Sequence, residues 1–187
     1  MKRIASITML LLVLSTIALS QVWWNRVEFR RVPNLTAYSA GDVVGPDTVA
    51  GTGNLLCFSG IVPNGSYGGV IAGLKLTVDT ANVTNASFKI YFYSDSAGNK
   101  RPLDNAAFVR TMKEDSLIFG SVTLNPLNVT GTGSGTTTAE IDTALAAPIP
   151  VRTVAGSRTI YARIVALAAW APPRAQRIRL ELYLKAN

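Results

Sequence analysis

The run Arg177-Ile178-Arg179-Leu180-Glu181-Leu182-Tyr183-Leu184-Lys185 alternates without a break between apolar side chains and polar or amphipathic ones. Successive side chains of an extended strand point to opposite faces. A period of two therefore marks a strand with one face on a core and the other toward solvent or a partner. The same rhythm recurs upstream. Ile160, Ala162 and Ile164 alternate with Tyr161 and Arg163. Phe88, Ile90 and Phe92 alternate with Lys89, Tyr91 and Tyr93, and Leu74, Leu76 and Val78 with Lys75, Thr77 and Asp79. From residue 22 onward, Val27 and Phe29 alternate with Arg26, Glu28 and Arg30. Shorter strand candidates lie at residues 42–44, 55–59, 117–124 and 149–153.

Between these runs stand residues that tolerate a positive φ or end a ladder. Ala40-Gly41-Asp42, Pro63-Asn64-Gly65, Ser96-Ala97-Gly98-Asn99 and Ala155-Gly156-Ser157 carry turn chemistry. Pro172-Pro173 stops pairing before the last strand, because proline has no N–H to give. Residues 130–138 (TGTGSGTTT) read as a low-complexity mobile loop, and residues 104–108 as a single helical turn with Asp104 as its N-cap. No helix-period segment of twelve or more residues follows position 25, and no internal repeat is visible. The fold expected is all-β: one antiparallel β-sandwich, jelly-roll-like, over residues 22–187.

Composition agrees. The chain has 187 residues, of which 48% are apolar and 16% charged. That is enough to bury roughly 70% of the unfolded surface without disulfide staples, and too apolar for disorder throughout. Residues 1–21 read differently from the rest. Lys2 and Arg3 precede an apolar run from Ile4 to Leu19, and Ala18-Leu19-Ser20 has the small-x-small form of a cleavage site. The run is shorter than the ~20 residues of a spanning helix. Three readings stand open: a secretory signal, a buried or interfacial helix retained as an apolar arm, or a misassigned start with Met9 as the internal alternative.

Chemistry is mostly excluded. With no histidine, there is no His-based triad, His general base or His metal site. The single cysteine, Cys57, permits no internal disulfide and no Cys-cluster zinc site. Lying in Leu55-Leu56-Cys57-Phe58, it is expected to pack as a small hydrophobe. Asp42 and Asp47, and Asp95 and Asp104, flank turns, yet no 12-residue calcium loop is present. The acids suggest no converging pair of carboxylates, and there is neither a Ser-x-x-Lys motif nor a phosphate-binding glycine loop. Neither enzyme, cofactor nor metal site is expected. Sequons begin at Asn34, Asn64, Asn82, Asn85 and Asn128, and are read as chance in a chain rich in Asn and Thr.

The net charge is +7, and the bases gather near the C-terminus. Arg152, Arg158, Arg163, Arg174, Arg177, Arg179 and Lys185 have only Glu181 as a sequence neighbour of opposite sign. On alternating strands they make a positive stripe beside Tyr161, Trp170 and Tyr183. Such a stripe suits a protein interface, where Arg and aromatics are enriched, a solvated face, or phosphate contacts. Trp23-Trp24 suits a strand start with one ring on each face, or an anchor at a membrane surface. The candidate interface is Trp23, Trp24, Arg152, Arg163, Arg174, Arg177 and Arg179.

One stretch is more specific. Thr36-Ala37-Tyr38-Ser39-Ala40-Gly41-Asp42-Val43-Val44-Gly45 resembles the opening motif of a group of tailed-bacteriophage virion structural proteins. The similarity continues through Gly69-Val70-Ile71, Ile90-Tyr91-Phe92-Tyr93-Ser94-Asp95 and Pro102-Leu103-Asp104-Asn105-Ala106-Ala107-Phe108. It then runs through Gly120-Ser121-Val122, Pro148-Ile149-Pro150-Val151 and Arg158-Thr159-Ile160-Tyr161-Ala162. It covers about residue 22 to the end and leaves residues 1–20 outside. The resemblance implies a compact β-sandwich without catalysis, carried on the phage particle as a capsid decoration or head-fibre component. Its implied partners are the major capsid protein and copies of itself, with no nucleic acid, and no membrane unless residues 1–20 export or anchor the chain. Neck and tail positions belong to the same class. An exported bacterial sandwich, periplasmic or secreted, that binds a surface partner, or carbohydrate through Tyr91, Tyr93 and Trp170, is the reading from a different class.

Overall fold

The computed structural model describes residues 22–31, 36–46, 55–61, 68–79, 86–96, 103–125, 128–129 and 139–186, with side-chain detail at all of these but 128–129 and 139–142. The apolar segment 1–21, Asp47, the turns at 63–65 and 97–99, the stretch 130–138 and the sequons at Asn34, Asn64, Asn82 and Asn85 lie outside the described residues.

Among the described residues, ten strands form two antiparallel sheets: β1 (Val22–Arg30), β2 (Val43–Val44), β3 (Leu56–Phe58), β4 (Gly69–Val78), β5 (Phe88–Tyr93), β6 (Ile118–Leu124), β7 (Asn128–Val129), β8 (Ala139–Pro150), β9 (Ile160–Ala166) and β10 (Arg177–Ala186). The first sheet has the order β1-β10-β4-β8-β7, and the second β2-β9-β5-β6. β3 also pairs with β9. β2 meets it at Ile164 and Val165 and β3 at residues 160–162, so the two lie end to end as one broken strand. If β2 with β3 and β7 with β8 each count as one, every step between strands except β5 to β6 crosses to the other sheet. This is the strand order of a double-sheet jelly roll, and the all-β sandwich read from the sequence is the fold observed.

The period-two runs become the two core-facing surfaces. Ile178, Leu180, Leu182 and Leu184 of β10 join Ile71, Leu74, Leu76 and Val78 of β4 on one side. Phe58, Phe88, Ile90, Phe92, Ile160, Ala162 and Ile164 face them from the other sheet. Each of these but Ala162 contributes about 1.5–3 kcal/mol on leaving water. The alternation also corrects the expectation for Cys57. Leu56 and Phe58 of β3 are buried, so the residue between them points outward and its thiol is exposed.

Among the described residues, one helix interrupts the strands, α1 (Met112–Leu117). It is opened by a capping box: the Thr111 hydroxyl accepts from the Glu114 N–H, and the Glu114 carboxylate accepts from the Thr111 N–H at 3.0 Å. The helical turn expected at 104–108 is absent. Asn105 takes a φ of 62°, which a right-handed helix does not accommodate, and the Asp104 carboxylate accepts from the Tyr38 hydroxyl and the Gly45 N–H instead. The strand expected over 149–153 stops at Pro150.

Candidate functional site

The two outer faces of the sandwich differ. The long connection from β5 to β6 doubles back to β2. There Val43 N–H donates to the Ala106 carbonyl at 2.9 Å, Asn105 N–H to Val43 at 2.8 Å and Phe108 N–H to Gly41 at 2.8 Å. The connection then crosses the outside of β9 and β5 before entering α1. Phe108 lies against Tyr91, ring centroids 5.1 Å apart, and the Arg163 guanidinium stands 5.0 Å from the Phe108 centroid. Glu114 on α1 places Oε1 3.2 Å from Arg163 Nη1, with both side chains fully buried. Tyr93 sits beside this pair, and burial pushes its hydroxyl up to about 12. The connection is a strap pinned by a buried ion pair.

A second buried cluster fixes the strap's near end. Arg31 Nε donates to the Tyr38 hydroxyl oxygen at 2.6 Å, and Arg31 Nη2 to the Thr36 carbonyl at 2.6 Å. The Tyr38 hydroxyl donates to Asp104 Oδ1 at 2.6 Å, which also accepts from the Gly45 N–H at 3.0 Å. Burial raises the Asp104 carboxyl above its ordinary value, opposed by these hydrogen bonds and by the Arg31 charge. Burial also raises the Tyr38 hydroxyl well above the usual range. The Tyr38 ring stacks on Trp170 at 5.4 Å. Asp42 acts as a turn residue: its carboxylate accepts from the Ser39 N–H at 2.6 Å, while Gly41 has a φ of 93°. Residues 36–45 and 103–108, two stretches distant in sequence, are thus a single lock that closes the strap onto β2.

Among the described residues, the first sheet leaves its outer face exposed along β1, while Glu181 on β10 is buried. Trp24 and Tyr183 are cross-strand partners, as are Arg26 and Glu181, Glu28 and Arg179, and Val22 and Lys185. Trp24 is 60% exposed and Val22 66%. The Tyr183 ring lies across Gly73, where an added Cβ would meet it at 3.3 Å. Glu28 holds two arginines, Arg179 Nη2 at 2.7 Å and Arg177 Nε at 3.1 Å. The Arg179 hydrogen bond, with help from Arg177 and Arg26, keeps the Glu28 carboxyl below its ordinary value.

The sequence-derived interface residues divide accordingly. Trp24, Arg177 and Arg179 share the open face. Trp23, on the other side of β1, packs half-buried against the core, its Nε1 enclosed without a hydrogen-bond partner among the described residues. Arg152 and Arg174 are exposed in the connections that follow β8 and precede β10. Arg163 is corrected outright: it is fully buried beneath the strap and offers nothing to a partner. Trp170 and Tyr93, read as aromatics for a sugar, are core residues at 2% and 0% exposure. The acids missed as partners, Glu28 and Glu114, lie far away in sequence. Only the Thr111-x-x-Glu114 capping pattern announced one of them.

Among the described residues, no three His, Cys, Asp or Glu side chains gather as a metal cluster, and no helix is long and apolar enough to cross a membrane. The arrangement defines a jelly-roll-like β-sandwich with one strapped face and one open aromatic and charged face. No family model matches the chain, and no curated protein matches it. Among solved structures, the K3 cleaved adhesin domain of Lys-gingipain from Porphyromonas gingivalis w83 is similar over 76% of this chain and 66% of that one, with 14% identity and a TM-score of 0.31. This chain spans just under two thirds of that domain's length. A chain of Desmodium yellow mottle tymovirus is similar over 89% of this chain and 87% of its own, with 9% identity and a TM-score of 0.27. Both neighbours are β-rich.

Proposed function

We propose that the chain is a non-enzymatic structural subunit of a bacteriophage particle, a decoration subunit seated on the major capsid shell by the open face of its first sheet. The observation that carries this reading is the inequality of the two outer faces. The strap covers one with the chain's own residues. The other leaves Trp24 and Val22 exposed beside Tyr183, Arg26 and Lys185, the aromatic and arginine mixture that interface cores favour. The jelly-roll order is also at home in shells, although it serves lectins and cupins as well. A standard contact buries about 800 Å² per partner. Repetition over a shell raises the effective concentration of each later contact, so modest contacts hold collectively. Head-fibre, neck or tail placement is the same reading at lower copy number.

The test is quantitative mass spectrometry of purified particles, with the N-terminal peptide read out. Copies in the hundreds per particle, reduced by Trp24→Ala with Lys185→Glu, are the expected result. Unchanged occupancy would overturn attachment through this face, and scarce copies would move the chain to neck or fibre. Absence from particles, with protein in the periplasm or medium starting at Gln21, would favour an exported binding module.

A further inference from the structure

β1 is the edge strand of the first sheet: β10 pairs along one side, and among the described residues no strand pairs along the other. A free strand edge is a row of unpaired N–H and C=O groups, and proteins either block it or use it. β1 is nine residues long and carries no proline. Its outward side chains read Val22, Trp24, Arg26, Glu28, Arg30, and all are exposed. Arg26 and Arg30 form no ion pair with any described residue, and Trp24 is among the most exposed apolar side chains of the described chain. Among the described residues, two guanidinium groups on this edge thus lack an ion pair and the indole beside them stays exposed.

We propose that a second copy of this chain pairs with β1 antiparallel to itself, about a two-fold axis at Val27. Facing residues in an antiparallel pair lie on the same side of the sheet, so only registers centred on a residue keep the outward set outward. Centred on Arg26 or on Glu28, the pairing sets like charges opposite one another. Centred on Asn25, it sets Trp24 against Arg26 and leaves Glu28 facing Val22. Centred on Val27, Arg26 faces Glu28 of the other copy and Glu28 faces its Arg26. Trp24 then faces Arg30, and Arg30 faces Trp24. Opposite charges directly across a sheet stabilise, and a guanidinium over an indole adds a cation–π contact. Glu28 retains lone pairs for the incoming Arg26 although Arg177 and Arg179 already occupy it, since a carboxylate offers about four acceptor sites. On the inner side Val27 meets Val27, closing an end of the core where Trp23, Asn25 and Val27 are only half-buried. Isologous two-fold pairing is the commonest oligomer geometry, and here it joins two sheets into one.

The inference shares Trp24 and Arg26 with the shell reading but is tested without particles, so the failure of one is read separately from the failure of the other. Sedimentation velocity on the full chain should give twice the chain mass. Arg26→Glu, which sets a carboxylate at position 26 against Glu28 twice over, should return it to the single-chain mass. The register is read by oxidation in a Cys57→Ser background. Val27→Cys should cross-link to a covalent dimer, while Asn25→Cys and Arg26→Cys should not. A wild-type chain that sediments at the single mass overturns the proposal. So does a dimer indifferent to Arg26→Glu, or one that cross-links at 25 or 26 rather than 27.

Discussion

Glu114 and Arg163 have no exposure to water, and each is the other's counter-charge at 3.2 Å. Removing one partner of a buried pair leaves an uncompensated charge, which costs about 3–5 kcal/mol. Glu114→Gln should therefore lower unfolding stability by about 3 kcal/mol in a denaturant titration, whereas Glu114→Gln with Arg163→Met should cost less than the single change. Glu28 belongs to the other regime, because its pairs with Arg177 and Arg179 are partly exposed. Such pairs contribute about 0–1 kcal/mol. Its carboxyl is held below the ordinary value in the folded state, so its contribution is present above that ordinary value and is lost as pH falls through the lowered one. The stability gap between wild type and Glu28→Gln should accordingly be present at neutral pH, close on acidification below the usual glutamate range, and shrink in salt. Asp104 runs the other way. Its raised value means that its contribution is present below the usual aspartate range and fades as pH rises through the raised one. The charges were all visible in the sequence, but their partners were not. Arg163 and Glu114 are 49 positions apart, and Arg179 and Glu28 are 151 apart. Alternation correctly put Arg163 on the outer side of β9, and nothing local revealed that a strap would cover it.

Strands were legible where the period of two is unbroken, as in β4, β5, β9 and β10, and lost where the ladder bulges. β8 begins with the alternation Ala139-Glu140-Ile141-Asp142-Thr143, then carries residues 145–148 against the lone Ala72 of β4 between the pairs Gly73↔Ala144 and Ile71↔Ile149. An expanded bulge of that kind breaks the sequence rhythm while preserving the sheet. β4 has its own irregularity at the same place, opposite the step from Tyr183 to Leu184. Gly73 sits in it with no room for a side chain: a Cβ there would stand 2.8 Å from the Thr143 carbonyl oxygen. Gly73→Ala should therefore destabilise by about 1–3 kcal/mol, the usual cost of overpacking. Its denaturant midpoint, followed by far-ultraviolet circular dichroism, should fall below that of the wild type. An unmoved midpoint would mean that the bulge yields freely. α1 was missed for the opposite reason. Six residues are too few to show a helical period, and its capping box was the sole mark it left.

At the scale of the molecule, the fold class followed from counting alternating runs and turns, and the topology did not, because strand order depends on which distant runs find each other. That order places β10 between β1 and β4 in the first sheet. It places β9 between β5 and the broken strand of β2 and β3 in the second. One interior strand of each sheet therefore leaves the ribosome after every other described strand. Until residues 160–186 have emerged, β1 and β4 have an empty slot between them, and Glu114 has no arginine to meet. The strands made earlier must wait, loosely collapsed, with open edges. Formation of the native sheets is then a late insertion event dominated by distant contacts, which is intrinsically slow and exposes unpaired strands to other chains meanwhile. Crowded synthesis of many copies at once would put this interval, rather than the finished fold, under the greatest strain.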